Sequence, residues 1–203
     1  ETLLTSLAAR NIQIVADEEL AMESNDATAQ VLRVQSSGAE AVVLLNYPKP
    51  ASLFVRDASR LGFDSTFIGT SVIPDPVAFY DLVAIPGATK NFVTISPSRY
   101  PIDSEKAEEW RNKLVAKFPD DVPHAYNVFG ITAGQLTVEA LKVAGPDLTR
   151  QSLIDALTDV KSLEVTFAPA SLNCDTHQCL RSGAWFKRSD DGRTETVGIT
   201  QLK

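Results

Sequence analysis

Charge of the kind that tracks phosphate is scarce in this chain: 19 Lys and Arg stand against 26 Asp and Glu in 203 residues, a net charge of -7. Nucleic-acid binding needs clustered cations that displace counterions. No basic run or RNA-reading signature is present, so no nucleic acid is expected as a partner. Long apolar runs are lacking as well, and none approaches the roughly 20 residues of a membrane-crossing helix. The opening ETLLTSLAARN has neither the basic nor the apolar region of a signal peptide. A soluble chain is expected, with any export signal removed or lying upstream.

Reactive motifs are equally absent. The chain has no GxSxG elbow, no HExxH, no Gly-rich phosphate loop and no GxGxxG fingerprint. The strand exit IGTSV lacks the repeated glycines that let a backbone close around pyrophosphate. The paired carboxylates Glu18 and Glu19, Glu108 and Glu109, and Asp120 and Asp121 read as solvated surface charge. With only His124 and His177 as histidines, a Ser or Cys nucleophile has no evident base. Neither an enzyme nor a cofactor is expected.

The two cysteines, Cys174 and Cys179, sit in NCDTHQCL among polar residues that suit a loop. An even pair so close in sequence is compatible with a small disulfide, which would place the chain in an oxidising compartment. Two free thiols are the rival reading. A metal site on Cys174, His177 and Cys179 is a third, but it needs a fourth ligand, with His124 the other histidine, and its spacing fits no usual zinc pattern. No metal is expected.

With 44% hydrophobic residues the chain has enough apolar material for one sizeable core or two small lobes. Amphipathic segments alternate with short apolar runs, and each changeover falls on a residue that tolerates a left-handed backbone. LLTSLAAR ends at Asn11, before IQIVA as a strand. ATAQVLRVQSS follows Asp26 as an N-cap and stops at Gly38, before AVVLL. SLFVRDASRL places Leu53, Phe54, Ala58 and Leu61 on one face and stops at Gly62, before TFIGT. VAFYDLVA follows Asp75 and Pro76, cap and first-turn residues, and FVTIS is the next strand.

Strands of continuous Val, Ile and Leu are expected to be covered on both faces, and their alternation with helices implies right-handed parallel crossovers. The fold class expected is α/β, doubly wound, with a mainly parallel sheet. Such sheets bind ligands outside the carboxyl ends of their strands. Asn46, Tyr47 and Pro48 at the end of AVVLL fall on that rim, although Tyr47 could simply pack over the strand end.

After Ser96 the rhythm changes. PSRYPID carries two prolines and reads as an extended crossing segment. Three helices follow. EKAEEWRNKLVAKF puts Ala107, Trp110, Leu114 and Phe118 on one stripe. HAYNVFGITAGQLTVEALKVAG is apolar nearly all round and is expected to be buried. LTRQSLIDALTDV begins at Thr149 and presents Leu153, Leu157 and Val160. No strand between these helices covers them. The tail reads as extended from SLEVTFAP, then as a hairpin turning at Asp190, Asp191 and Gly192.

Taken together, GAEAVVLLNYPKPASLFVRDASRLGFDSTFIGTSVIPDP, PHAYNVFGITAGQLTVEALKVAG and LTRQSLIDAL resemble, in order, the type I periplasmic solute-binding proteins of ABC transporters, the leucine/isoleucine/valine-binding group. The resemblance implies a two-lobed, venus-flytrap protein that closes on a small molecule, catalyses nothing, and delivers to an ABC permease in the membrane from the periplasm, or from outside the cell on a membrane tether. It implies a carboxy-terminal lobe over residues 1–95, a hinge crossing at 96–101 leading into helices of the amino-terminal lobe to 160, and a return crossing and hairpin over 161–203. Family members carry about a hundred further residues upstream, including the central strand of the second lobe. A sheet without that strand leaves two strands unpaired, so a missing segment, a second chain or a swapped strand is expected to complete it.

Site residues follow from the same resemblance. Tyr47 matches a cleft tyrosine after NYP-like or GYP-like strand ends. Thr70 and Ser71, in GTS, fall on the second strand exit, and Ser71 stands where amino-acid binders carry an acid that holds the ligand's ammonium. Serine cannot supply that charge, which favours a carboxylate, aromatic-acid or neutral solute. Tyr126 resembles an aromatic that reaches the cleft, with a core position as its rival reading. A ligand-sensing domain of a receptor or regulator on the same fold is the alternative function, and a flavodoxin-like enzyme a more distant one.

Overall fold

A computed structural model describes residues 3–168, 172–174 and 179–201. Its five-stranded sheet has the order β1-β2-β3-β4-β5, with β1 at Ala41–Leu44, β2 at Thr66–Gly69, β3 at Phe92–Ser96, β4 at Ser182–Arg188 and β5 at Thr194–Gln201. The first three strands are parallel, and β4 and β5 add on antiparallel. The expected α/β class holds, and the Asp190–Gly192 turn joins a hairpin as read.

Helices α2 (Thr28–Ser36), α3 (Pro48–Arg60) and α4 (Pro76–Val83) connect or flank the parallel strands. Their ends obey local rules. Gly38 and Gly62 follow α2 and α3 at φ 74° and 70°, a region open to glycine without steric cost. Asp75 caps α4 by accepting from the Val77 and Ala78 N–H groups, and Pro76 takes the first turn.

Because β1, β2 and β3 step in one direction, right-handed crossovers put α3 and α4 on the same face. There Val42, Leu44, Phe67 and Phe92 meet Val31, Phe54, Val55, Ala58, Phe79 and Val83 in one apolar core. Phe79 stacks on Phe92, centroids 4.4 Å apart. The strand composition predicts cover on both faces; full cover is seen on one. Val43 and Ile68 on the other face stay partly exposed.

Two expectations are corrected. IQIVA forms no strand: residues 12–16 join no ladder, and Ile12, Ile14 and Val15 are exposed. Nor is β1 covered on both faces as expected; it forms a strand but pairs with β2 alone, and Leu45 at its end is 67% exposed. The physical reason is shared, since no described strand lies beside β1 on its outer side to bury either segment.

The remaining helices, α5 (Glu108–Lys117), α6 (Ala125–Ala144) and α7 (Arg150–Thr158), pack beside the sheet rather than on its core. Ile102, Ala107, Val128 and Phe167 form their cluster. The expectation that α6 is buried nearly all round fails: only Val128 and Ala140 are buried, while Val138, Leu141 and Val143 face outward. A hollow of about 380 Å³ opens on this bare face between Trp110, Gln135, Val138 and Glu164. The short helix α1 (Leu3–Ala8) buries no residue. Among the described residues no helix is long and apolar enough to cross a membrane.

Candidate functional site

The exits of β1 and β2 and the start of α6 converge on one rim. At the end of β1, Asn46 is consumed structurally: its Nδ2 donates to the Leu20 carbonyl at 3.0 Å and its Oδ1 accepts from the Tyr47 N–H at 2.8 Å. That pair of bonds fixes the turn into α3, whose N-cap is Tyr47. The Tyr47 side chain is left outside, 57% exposed.

At the end of β2, the backbone of the loop is pinned from beneath. Thr94 Oγ1, fully buried on β3, reaches the Thr70 carbonyl at 3.1 Å and the Ile73 carbonyl at 2.7 Å, and the Ile73 N–H donates to the Thr70 carbonyl. Gly69 allows this approach, because a Cβ there would enter both Phe92 and Thr94. The loop is held by its backbone, so the Ser71 side chain faces solvent and that of Thr70 is half-buried.

Tyr126 joins this loop from α6. Its hydroxyl donates to the Val72 carbonyl at 2.7 Å, and its ring lies edge-on to Phe129 and to His124. The position is 47% exposed rather than core. Partial burial, and then the negative charge of Asp75, push its phenol above the ordinary tyrosine value. The structure thus brings Tyr126 against the loop of Thr70 and Ser71, whereas Tyr47 stands on the neighbouring exit. None of the four carries a charge. A cavity of about 10 Å³ between Asp75, Ser98, Ala125 and Val128, room for one water at most, lies at the seam beneath.

The reading from sequence missed three contributors: the Val72 carbonyl, the Thr94 hydroxyl and the His124 imidazole. Backbone acceptors leave no mark in a sequence. His124 did leave one, as a polar residue immediately ahead of a long apolar helix. It accepts from the Tyr126 N–H through Nδ1 at 3.2 Å, while its own N–H donates to Asn127 Oδ1 at 2.7 Å.

Cys174 and Cys179 are joined in a disulfide. This removes the free-thiol reading, and a metal on both thiolates with it. His177, the third ligand of that reading, lies outside the described residues. Among the described residues no cluster could hold a metal.

A family model described as periplasmic binding protein matches residues 1–193. The chain belongs to the periplasmic binding protein family. No curated protein matches it. Among solved structures, this binding protein is similar to a substrate-binding periplasmic protein from Ralstonia solanacearum, at 20% identity and TM-score 0.81 over 95% of this chain and 55% of that one. A branched chain amino acid ABC transporter protein from Thermus thermophilus with bound valine gives 20% identity and TM-score 0.81, over 98% and 56%. A fatty acid ABC transporter substrate-binding protein from Thermomonospora curvata gives 19% and 0.75, over 91% and 49%. These likenesses establish the fold, and the chain spans about half the length of the solved relatives it matches.

Proposed function

We propose that this binding protein captures a small organic solute for an ABC importer and performs no catalysis. The observation that carries the reading is the convergence of uncharged hydroxyl groups at the strand exits, where an α/β sheet binds ligands: Tyr47 after β1, Thr70 and Ser71 after β2, and Tyr126 joined to the same loop through Val72. Membership of the family supports it. Residues 1–95 and 161–203 make one lobe, and the helices of 96–160 contribute to the other. Closing of the two brings Tyr126 over the solute.

The solute is a carboxylate, an aromatic acid or a neutral molecule rather than an amino acid. Buried charges need partners; Ser71 supplies no carboxylate to hold an ammonium group, and the nearby Asp75 carboxylate already accepts from the Val77 and Ala78 N–H groups. One relative is a fatty acid transporter's protein, another holds valine, so the fold itself accommodates both chemistries. The membrane permease is the partner, the periplasm or the outer face of a membrane the location. The disulfide is in keeping with either. The open outer side of β1 and the bare face of α6 are completed by a segment upstream, by a second chain or by a swapped strand.

A thermal-shift screen of amino acids, aromatic acids and fatty acids on the full-length protein tests the reading, because a solute that binds only the folded state raises Tm by mass action. Aromatic or fatty acids are expected to stabilise most. Branched-chain amino acids as the strongest stabilisers would overturn the inference from Ser71.

A further inference from the structure

The two hydrogen bonds that place Tyr126 are of unequal permanence. Its hydroxyl gives a proton to a backbone carbonyl, Val72 O, which cannot titrate near neutral pH. Its backbone N–H gives a proton to the Nδ1 of His124, at 3.2 Å. An imidazole nitrogen accepts only while it is unprotonated. Capping residues are normally Ser, Thr, Asp or Asn, of which only Asp titrates, and that well below neutral pH. Here the cap of a 20-residue helix is a histidine, and the same ring lies edge-on to Tyr126, centroids 5.7 Å apart.

We infer that His124 is a positioning residue for Tyr126, and that protonating its imidazole releases the Tyr126 hydroxyl from the Val72 carbonyl. Protonation would set an N–H donor against the Tyr126 N–H and add a positive charge at the positive end of α6, both unfavourable. The first turn of α6 then frays, and Tyr126 sits in that turn. The neighbouring groups oppose this incompletely. Asp75, across the seam on the cap of α4, would attract the imidazolium, but its carboxylate already accepts from Val77 and Ala78 N–H. Asp120 and Asp121 lead into His124 in sequence and are exposed. Tyr126 itself holds its proton throughout this range, since its phenol is pushed up. Losing a cap of ordinary strength corresponds to about a five-fold fall in the population that holds the Tyr126–Val72 bond. The inference deepens the proposed capture site, on which its meaning for solute binding rests.

The test needs no solute. The full-length protein is labelled with 3-fluorotyrosine and its fluorine resonances are followed from about pH 8 to about pH 5, the range in which histidines change charge. The resonance absent from Tyr126→Phe belongs to Tyr126. It is expected to move with the same midpoint as the His124 ring protons, and to keep its high-pH position throughout in His124→Asn, whose amide caps without titrating. His124→Ala should show the low-pH position at every pH. A Tyr126 resonance indifferent to the His124 titration, or one that still moves in His124→Asn, would overturn the inference. Because no ligand is added, failure here leaves the solute screen untouched, and failure of that screen leaves this coupling standing.

Discussion

Gly69 lies against the ring of Phe92 so closely that a Cβ there would stand 2.7 Å from its Cζ and 2.8 Å from Thr94 Oγ1. The ring cannot yield, since its other face stacks on Phe79. Gly69→Ala should therefore destabilise the chain by about 1–3 kcal/mol, the usual penalty for overpacking. Urea unfolding measures it as a lower midpoint at unchanged slope. Adding Phe92→Leu should restore part of the loss, because the two sites couple directly. An unchanged midpoint in the single variant would contradict this packing.

Asp57 on α3 is buried and accepts from the Ala27 N–H at 2.8 Å, capping α2 from another helix. Its second partner, Arg60, is well exposed at 3.3 Å. Asp57→Ala orphans a buried N–H and should cost about 1–3 kcal/mol, whereas Arg60→Ala should cost under about 1 kcal/mol. Equal losses in chemical denaturation would show that the exposed ion pair, not the cap, holds α2 in place.

Tyr126 should be slow to ionise. Burial and then Asp75 raise its phenol, so the stability it contributes is complete below the ordinary tyrosine value and is lost as pH rises through the raised one. The same proton makes the bond to Val72. Alkaline titration followed by phenolate absorbance should contain a late component that Tyr126→Phe removes and Asp75→Asn shifts slightly downward. Persistence of that component in Tyr126→Phe would assign it elsewhere.

The Cys174–Cys179 disulfide closes a short loop of sequence separation 5. Loop-closure entropy for so few residues gives about 2 kcal/mol. Replacing both cysteines by serine should lower stability by about that amount in urea without loss of the fold, and a protein indifferent to the change would show that the bridge constrains little.

Much of this molecule is legible in its sequence. Gly38, Gly62 and Asp75 mark helix ends because each answers a local backbone demand, and the order of βα units follows from their alternation. IQIVA, read as a strand and forming none, and AVVLL, which forms β1 but is less covered than expected, share one cause. An apolar run reports an appetite for burial but not whether a neighbour exists to satisfy it, and β1 pairs on one side alone. The same holds for α6, whose outward Val138, Leu141 and Val143 announce a covering layer that the described residues do not supply. At the rim, Tyr47 could be picked out as a side chain at a strand exit, and Ser71 and Tyr126 through the family resemblance. What holds them there could not, because Thr94 and His124 act on backbone groups brought close only by the finished fold.

The single-sided pairing of β1 carries a practical consequence for handling the protein. Alternation along a parallel strand turns the N–H and C=O groups of Ala41 and Val43 away from β2. Those groups are a template for any extended segment, so a short matching peptide should dock beside β1 and lessen self-association of concentrated stocks, which light scattering would read.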